Sequence, residues 1–236
     1  MYLSIIIPAY NEEQRIGGTL KHMRDHLSSK DYEYEIIVVD DGSRDNTSFA
    51  AAESELGKSG KVKVIKNPMN RGKGFAVKRG ILASEGKYVL LSDADMSTPL
   101  EEIDKLFDPI KNGFDVAIGS RSIKSSDVRI KQARYREIMG KTFNLFVKTL
   151  IVKDFNDTQC GFKLFKGDVA RDLAYLMKLD GFCFDVEMLY LAGIMGYKID
   201  EVGVIWNNSP QSKVRVFNSS AKMFIDLLRI KRLHKQ

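Results

Sequence analysis

Residues 86–99 read GKYVLLSDADMSTP, in which an apolar strand runs directly into two aspartates and then into the start of a helix. Asp93 and Asp95 stand one residue apart at the C-terminal end of that strand, which is where open α/β sheets bind their ligands. Two carboxylates in this place suit a hard divalent cation, which would in turn bind phosphate groups. The alternative is an ordinary turn, because Asp favours turns and the pattern Asp-x-Asp is common.

The segments on both sides of this stretch predict an α/β fold with a mostly parallel central sheet flanked by helices. Up to residue 120, short apolar runs alternate with longer amphipathic ones, which is typical of βαβ units. Strands are predicted at Leu3–Ile7, Tyr34–Val39, Val62–Ile65, Tyr88–Ser92 and Val116–Ser120. Helices are predicted at Glu12–Leu27, Thr47–Leu56, Gly74–Ser84 and Leu100–Ile110, with Gly57, Gly86 and Gly113 as helix ends.

The second half of the chain has a different pattern. A basic stretch, 121–136, leads into a long amphipathic segment, 137–152, and the last helix is predicted from residue 219 to about residue 234. In that last helix apolar residues stand among lysines and arginines, so it either packs against the core or lies on an anionic membrane surface. We expect residues 1–120 and 121–236 to form two halves of one continuous domain.

The composition indicates a globular protein that binds anions. The chain has 236 residues, 44% of them hydrophobic, and its 37 Lys and Arg against 31 Asp and Glu give a net charge of +6. This excess suits nucleotides, phosphates or acidic lipid headgroups, and we do not expect a nucleic acid partner. The two cysteines match neither a metal site nor a disulfide framework, which is typical of a reduced, intracellular protein.

We expect no signal peptide and no membrane-spanning segment. The N-terminus enters a strand directly, and the longest apolar candidate, residues 142–152, is too short to cross a bilayer. The expected location is therefore the cytoplasm. Peripheral attachment to the membrane, through an amphipathic segment or through a membrane-protein partner, stays open.

Polar motifs also follow the first three predicted strands. They read PAYNEE at 8–13, VVDDGS at 38–43 and NRGKG at 70–74, the last at the start of a helix whose free N–H groups favour anions. Ionised Asp is rarely buried unpaired, so acids at successive strand ends favour a ligand site. A phosphate-loop NTPase is excluded because Lys73 is followed by Gly74 instead of Ser or Thr. A dinucleotide-dependent enzyme is disfavoured, since no Gly-x-Gly-x-x-Gly follows the first strand.

These motifs, in this order, resemble those of the nucleotide-sugar glycosyltransferases of family 2. The matching stretches are IIPAYNEE, VVDDGS, NRGKG and SDAD. Within the family the chain is most similar to the dolichyl-phosphate β-glucosyltransferase subgroup and its bacterial polyprenyl-phosphate relatives, on DTQCGFKLF at 157–165, FDVE at 184–187, and Trp206 followed by Ser212-Lys213. The resemblance covers essentially the whole chain. It implies a GT-A, Rossmann-like fold in which residues 1–120 bind the nucleotide sugar and residues 121–236 face the acceptor.

The resemblance also implies which residues bind substrate. Pro8, Tyr10, Glu12 and Asp41 would hold the nucleoside, with Asp40 beside them. The full implied set is Pro8, Tyr10, Glu12, Asp40, Asp41, Arg71, Lys73, Asp93, Ala94, Asp95, Arg121, Arg134, Arg136, Gln159 and Lys213.

Within this set the resemblance assigns charges to the phosphates and to a metal. Asp95 would bind a divalent ion, Mn or Mg, while Asp93 would reach the metal or the ribose. Lys73, Arg121 and Lys213 are the candidates for the donor phosphates. Arg134 and Arg136 could face the acceptor phosphate, or they could belong to a solvated charged surface.

The implied reaction is an inverting transfer of a hexose, glucose from UDP-glucose, to a polyprenyl phosphate. The catalytic candidates are Asp95, Arg121 and Asp185. An acceptor phosphate is ionised near neutral pH and needs no general base, whereas a hydroxyl acceptor needs one, for which Asp185 is the candidate unless it only caps a helix. GDP-mannose as donor, a saccharide hydroxyl as acceptor, nucleotidyl transfer, and nucleotide-sugar binding without catalysis remain as alternatives.

Overall fold

The structure is a computed structural model that describes residues 1–130, 134–152, 154–207 and 216–235. For helical residues 134–138, 141 and 216–221 it describes the backbone alone. The strands are β1 Leu3–Ala9, β2 Tyr34–Asp40, β3 Val62–Lys66, β4 Tyr88–Leu91, β5 Val116–Ser120, β6 Asp127–Ile130, β7 Lys163–Lys166, β8 Ile199–Gly203 and β9 Ile205–Asn207. The helices are α1 Glu13–Leu27, α2 Thr47–Ala52, α3 Glu55–Lys58, α4 Lys73–Leu82, α5 Ile103–Lys111, α6 Arg134–Leu150, α7 Gly167–Leu176, α8 Phe184–Ile194 and α9 Val216–Leu233, with a 3₁₀ turn at Leu100–Glu102.

A seven-stranded sheet in the order β3-β2-β1-β4-β7-β5-β8 forms the centre of the molecule. All neighbouring strands in it are parallel except β7, which runs antiparallel to both β4 and β5. Strands β7 and β8 come from beyond residue 120, so both halves of the chain contribute to this sheet. The predicted α/β fold with a mostly parallel sheet is confirmed.

Helices cover both faces of the sheet, which explains the continuous apolar runs of its strands. Leu3, Ile5 and Ile7 of β1 pack in a core with α1 and α5, whereas Ile6 points to the opposite core with α4, α7 and α8. A strand that is buried on both faces has no polar face to alternate with. The five predicted strands are all present, with ends that differ from the prediction by at most two residues.

The predicted helix Thr47–Leu56 is instead two short helices, α2 and α3. The second begins because the Ser54 side chain caps it, accepting a hydrogen bond from the Gly57 N–H at 3.0 Å. Gly57 therefore lies inside α3, and its prediction as a helix end was wrong.

A third apolar cluster joins α6, α8 and α9. Val147, Val186, Leu227 and Ile230 are fully buried in it. One face of the last helix thus packs against α6 and α8 instead of against the sheet, which corresponds to the packing alternative that its sequence left open.

Candidate active site

The predicted polar motifs meet at one edge of the sheet. Strands β1, β2, β3 and β4 are parallel to one another, and β5 has the same direction because β4 and β5 are both antiparallel to the β7 strand between them. The carboxyl ends of all five strands therefore point to this edge. The antiparallel β7 brings its amino end to the same place, where Lys163 pairs with Leu91 of β4 and with Ile118 of β5. Loops that are distant in sequence are therefore neighbours here.

Asp93 and Lys73 form an ion pair at this edge, with 2.6 Å between Lys73 Nζ and Asp93 Oδ1. Burial raises the pKa of Asp93, but the adjacent ammonium outweighs it and holds that pKa below the usual range. Burial likewise lowers the pKa of Lys73, and the carboxylates of Asp93 and Asp185 more than reverse this. Both groups are therefore charged at neutral pH.

Asp95 lies beside this pair and has no cationic partner among the described residues. It is partly exposed and accepts a hydrogen bond from the Ser97 N–H at 3.0 Å, and no described Lys or Arg forms an ion pair with it. Thr19 of α1 holds the loop by donating to the carbonyl of the buried Ala94 at 2.6 Å. Met96, the residue after Asp95, has a φ of 48°, a left-handed conformation that is uncommon for a long side chain and that tertiary contacts must maintain.

Arg121 is held in a fixed orientation directly after β5. Its Nε and Nη2 donate to the two oxygens of the buried Asp157 at 2.6 Å and 2.8 Å, and its guanidinium lies 5.5 Å from the ring centre of Trp206. Burial raises the pKa of Asp157, but this guanidinium lowers it by more and so holds it below the usual range. A guanidinium has five N–H groups, so three of them have no partner among the described residues and can serve an anion.

Lys163 and Asp185 form a third ion pair, which is buried. The distance between Lys163 Nζ and Asp185 Oδ1 is 2.5 Å, and Lys163 also donates to the Cys160 carbonyl at 2.5 Å. Lys163 is 0% exposed and Asp185 is 5% exposed. Burial raises the pKa of Asp185, an effect that the ammonium groups of Lys163 and Lys73 only partly offset. Asp185 lies in the first turn of α8 and is not its N-cap, which is Cys183.

The loop after β1 carries the predicted nucleoside ligands and is fastened to the loop after β2. Its Asn11 and Glu12 N–H groups donate to Ser43 Oγ and Thr47 Oγ1, each at 2.8 Å. Tyr10 is exposed and available for stacking on a base. The Glu12 carboxylate pairs with Arg15, at 2.6 Å from Arg15 Nε. Pro8 is partly buried just before this loop.

Asp40 and Asp41 maintain the shape of the loops around the site. Asp40 is fully buried and accepts hydrogen bonds from the Ser43 N–H, at 2.8 Å, and from the Ser48 hydroxyl. Asp41 is 3% exposed and accepts from the Gly72 N–H at 2.7 Å and from the Asn67 side-chain amide at 2.7 Å. As placed, both carboxylates act chiefly on the protein's own backbone.

The structure describes the side chains of two of the remaining predicted site residues, Arg71 and Gln159, and does not describe those of the other three. The Arg71 guanidinium stacks on Phe75 with 3.6 Å to the ring centre, and its Nη2 lies 2.9 Å from Asp180 Oδ2. Gln159 is partly buried beside Asp157, to which its N–H donates at 3.2 Å. Arg134 and Arg136 begin α6, with side chains that are not described, and Lys213 lies outside the described residues.

The structure adds Asp157, Gly161 and Lys163 to the site. Asp157 orients Arg121, Lys163 holds Asp185, and Gly161 lies so close to Asp93 that a Cβ atom there would overlap its carboxylate. A sequence signal existed for Lys163, because a lysine between Phe162 and Leu164 in an apolar strand requires a buried partner.

The donor set fits a hard divalent cation that also binds substrate. Among the described ranges no group of three or more His, Cys, Asp or Glu could enclose a metal ion. Asp93 and Asp95 supply two carboxylates on one partly exposed loop. Mg²⁺-type sites at phosphates commonly use one or two carboxylates, with water and substrate phosphates as the other ligands. These two aspartates are thus suited to hold a metal jointly with a bound diphosphate.

Comparison with known proteins relates the chain to sugar-transferring enzymes. Residues 4–172 match the model of the family described as glycosyl transferase family 2. The chain is 41% identical to a dolichyl-phosphate beta-glucosyltransferase of Dictyostelium discoideum, over 98% of this chain and 74% of that protein. It is 36% identical to the human protein of that name, over 97% of this chain and 74% of the relative.

Solved structures share the fold at low sequence identity. Glucosyl-3-phosphoglycerate synthase of Mycobacterium tuberculosis, in complex with Mn²⁺, UDP-glucose and phosphoglyceric acid, superposes with a TM-score of 0.72 at 18% identity. The superposition covers 100% of this chain and 80% of that one. This likeness shows a common fold.

Proposed function

Because the chain belongs to glycosyl transferase family 2 and is a glycosyltransferase with the GT-A fold, we propose that it transfers glucose from UDP-glucose to a polyprenyl phosphate of the dolichyl phosphate type, with inversion at the anomeric carbon. The observation that carries the proposal is the group formed by Asp93, Asp95, Lys73 and Arg121 at one sheet edge. This group offers two carboxylates for a metal and two cations for a diphosphate.

In this proposal the loop after β1 receives the nucleoside. The exposed Tyr10 ring stacks on the base, and Glu12, already oriented by Arg15, accepts hydrogen bonds from the nucleoside. Asp41 keeps the turn before α4 in place, so that Lys73 is presented to the diphosphate.

The phosphate end of the donor would lie between Lys73 and Arg121. Asp95 and Asp93 would hold a divalent ion, manganese or magnesium, which as a Lewis acid offsets charge on the departing diphosphate. Arg121 directs its remaining N–H groups at that charge, since Asp157 fixes its orientation before substrate arrives. Groups that are oriented in advance need little reorganisation during the reaction.

The state of Asp185 favours a phosphate acceptor over a hydroxyl acceptor. A hydroxyl must lose a proton to a base, whereas a phosphate arrives already ionised. The Asp185 carboxylate is buried and its Oδ1 is bound to Lys163, so an incoming alcohol could reach at most its other oxygen. Arg134 and Arg136 on α6 are the proposed partners of the acceptor phosphate, with Gln159 and Lys213 as further substrate ligands.

We also propose that α6 and α9 bring the protein to the surface of an anionic membrane. No helix in the described ranges is both long and apolar enough to cross a bilayer. Leu145 on α6 and Ile225 and Leu228 on α9 are nevertheless 62%, 57% and 57% exposed, and the exposed Arg229 follows Leu228 on α9, one turn after Ile225. An apolar face with adjacent cations is the pattern of helices that lie on anionic lipid.

Vesicle sedimentation tests this surface. Ile225→Ser/Leu228→Ser should reduce binding to vesicles that contain acidic lipid, while Leu82→Ser, at an exposed leucine of α4, should not. Equal binding of both variants would contradict the membrane surface.

Product analysis with two labelled donors tests the function. With Mn²⁺ and a short polyprenyl phosphate, radiolabel from UDP-glucose should enter the lipid extract and UDP should be released. Asp95→Ala should abolish this transfer, and Asp185→Asn should retain part of it if the acceptor is a phosphate. Incorporation from GDP-mannose alone would overturn the glucosyl assignment, and release of inorganic diphosphate would indicate nucleotidyl transfer.

A further inference from the structure

We propose that the Lys73 ammonium occupies the place of the metal at Asp93 until the donor arrives, so that metal binding and nucleotide binding are coupled through this one side chain. The inference rests on the proposed function and deepens it. The geometry that carries it is the 2.6 Å contact between Lys73 Nζ and Asp93 Oδ1. A divalent ion that approaches this carboxylate meets the positive charge of the ammonium at close range, which weakens its binding.

The backbone at Lys73 is held in place, so the exchange requires movement of the side chain only. Asp41 accepts the Gly72 N–H at 2.7 Å, and Phe75 N–H donates to the Asp180 carbonyl at 3.2 Å. Gly72 has a φ of 120° and lies so close to Asp180 that a Cβ atom would overlap its carbonyl. The start of α4 is therefore clamped between two loops.

The Asp93 carboxylate is equally restricted, because the backbone of Gly161 closes one side of it. The Lys73 side chain, in contrast, is partly exposed and has four rotatable bonds, with its ammonium 5.9 Å from the ring centre of Phe184. The pair thus joins a fixed acceptor to a movable donor. A diphosphate that enters beside α4 offers this ammonium a second anionic partner, toward which it can rotate.

Charge explains why the two binding events are coupled. With Lys73 on Asp93, an incoming divalent ion finds one carboxylate that pairs with no described Lys or Arg, Asp95, and a repelling positive charge within a few ångströms. When the diphosphate attracts Lys73, Asp93 is released as a second ligand and the repulsion declines. Because coupling between two ligands is reciprocal, metal must increase nucleotide affinity by the same factor.

Titration of Mn²⁺ without nucleotide, followed by the EPR signal of the free ion, tests the inference without measuring catalysis. In Lys73→Met the competing ammonium is gone, and we expect Mn²⁺ alone to bind about tenfold more tightly than in the wild type, because repulsion between close charges is removed. UDP should then increase Mn²⁺ affinity by a smaller factor than in the wild type. Lys73→Gln, which keeps a polar side chain of similar reach, should change both quantities in the same direction.

Lys87→Met is the matched control, because Lys87 precedes the opposite end of β4 and is exposed. It removes the same charge far from Asp93 and should leave Mn²⁺ affinity unchanged. The double variant Lys73→Met/Asp93→Asn should not show the tighter Mn²⁺ binding of Lys73→Met, since the Asp93 carboxylate is then absent. Unchanged or weaker Mn²⁺ binding by both Lys73 variants would overturn the inference, even if the wild type binds UDP with Mn²⁺ and transfers glucose. A wild type that shows neither UDP-dependent Mn²⁺ binding nor transfer would instead overturn the proposed function.

Discussion

Replacing Asp185 by leucine should destabilise the protein strongly, and replacing Lys163 in addition should restore most of the loss. Lys163 is 0% exposed, and without Asp185 its ammonium keeps, among the described residues, one hydrogen-bond partner, the Cys160 carbonyl at 2.5 Å. Breaking one partner of a buried ion pair costs about 3–5 kcal/mol, whereas replacing both partners by apolar residues is often neutral. The expected order of stability is therefore wild type and Lys163→Met/Asp185→Leu above either single variant.

The size of the effect in a melting experiment follows from chain length. For a chain of 236 residues the entropy of unfolding is roughly 0.5 kcal/mol/K, so 3–5 kcal/mol corresponds to a fall in Tm of about 6–10 °C. Circular dichroism or calorimetry measures this directly. Asp127→Asn is the control, because Asp127 and Arg129 form an exposed pair, 2.8 Å apart, that should contribute about 0–1 kcal/mol.

Two results would refute this reasoning. One is a Tm of Asp185→Leu that lies within about 2 °C of the wild-type Tm, which is the range expected for loss of a surface pair in a protein of this size. The other is a double variant that loses the sum of the single losses. Either result would mean that the two side chains do not act as one buried pair.

Two further predictions concern the neighbours of Asp93 and Arg121. Gly161→Ala should displace the Asp93 carboxylate and weaken Mn²⁺ binding in the presence of UDP by about tenfold or more, as measured by EPR. Gly17→Ala, on an open helix surface, should leave Mn²⁺ affinity unchanged and could stabilise the fold by up to ~1 kcal/mol. Equal Mn²⁺ affinity in both variants would contradict the close packing at Gly161. The pKa of Asp157 is lowered in the folded state, so its stabilising contribution is complete above the unfolded pKa of about 3.9 and is lost as the pH falls through the lower folded value. Urea unfolding between pH 2 and 7 should therefore show a shallower loss of stability at acidic pH in Asp157→Asn than in the wild type, and parallel curves would show that the bond to Arg121 contributes nothing to acid stability.

The edge of the sheet that carries the site could be predicted because it depends on local sequence. Apolar runs that end in Asp40, Asp41, Asp93 and Asp95 mark the carboxyl ends of strands, and parallel strands place those ends together. The prediction named the side chains that arrive there. It did not say which of them bind one another.

Strand β7 shows why the rest could not be predicted. It is four residues long and follows a segment with no regular period, so its entry between β4 and β5, with reversed direction, had no local signal. The position of β7 in the sheet brings Lys163 into contact with Asp185 and places Gly161 next to the Asp93 carboxylate. The break between α2 and α3 is similar, because one cap at Ser54 overrides the helical pattern around it.

The amino-acid sequence alone therefore establishes the α/β class, the acidic strand ends and the resemblance to family 2, since each of these is written in short, contiguous stretches. The tertiary structure decides which charges are paired. Lys73 binds Asp93, Arg121 binds Asp157 and Lys163 binds Asp185, across separations of about twenty to forty residues. Pairing at such separations depends on how strands and loops pack in space, and that packing leaves Asp95 as the carboxylate without a described cationic partner beside the Lys73–Asp93 pair.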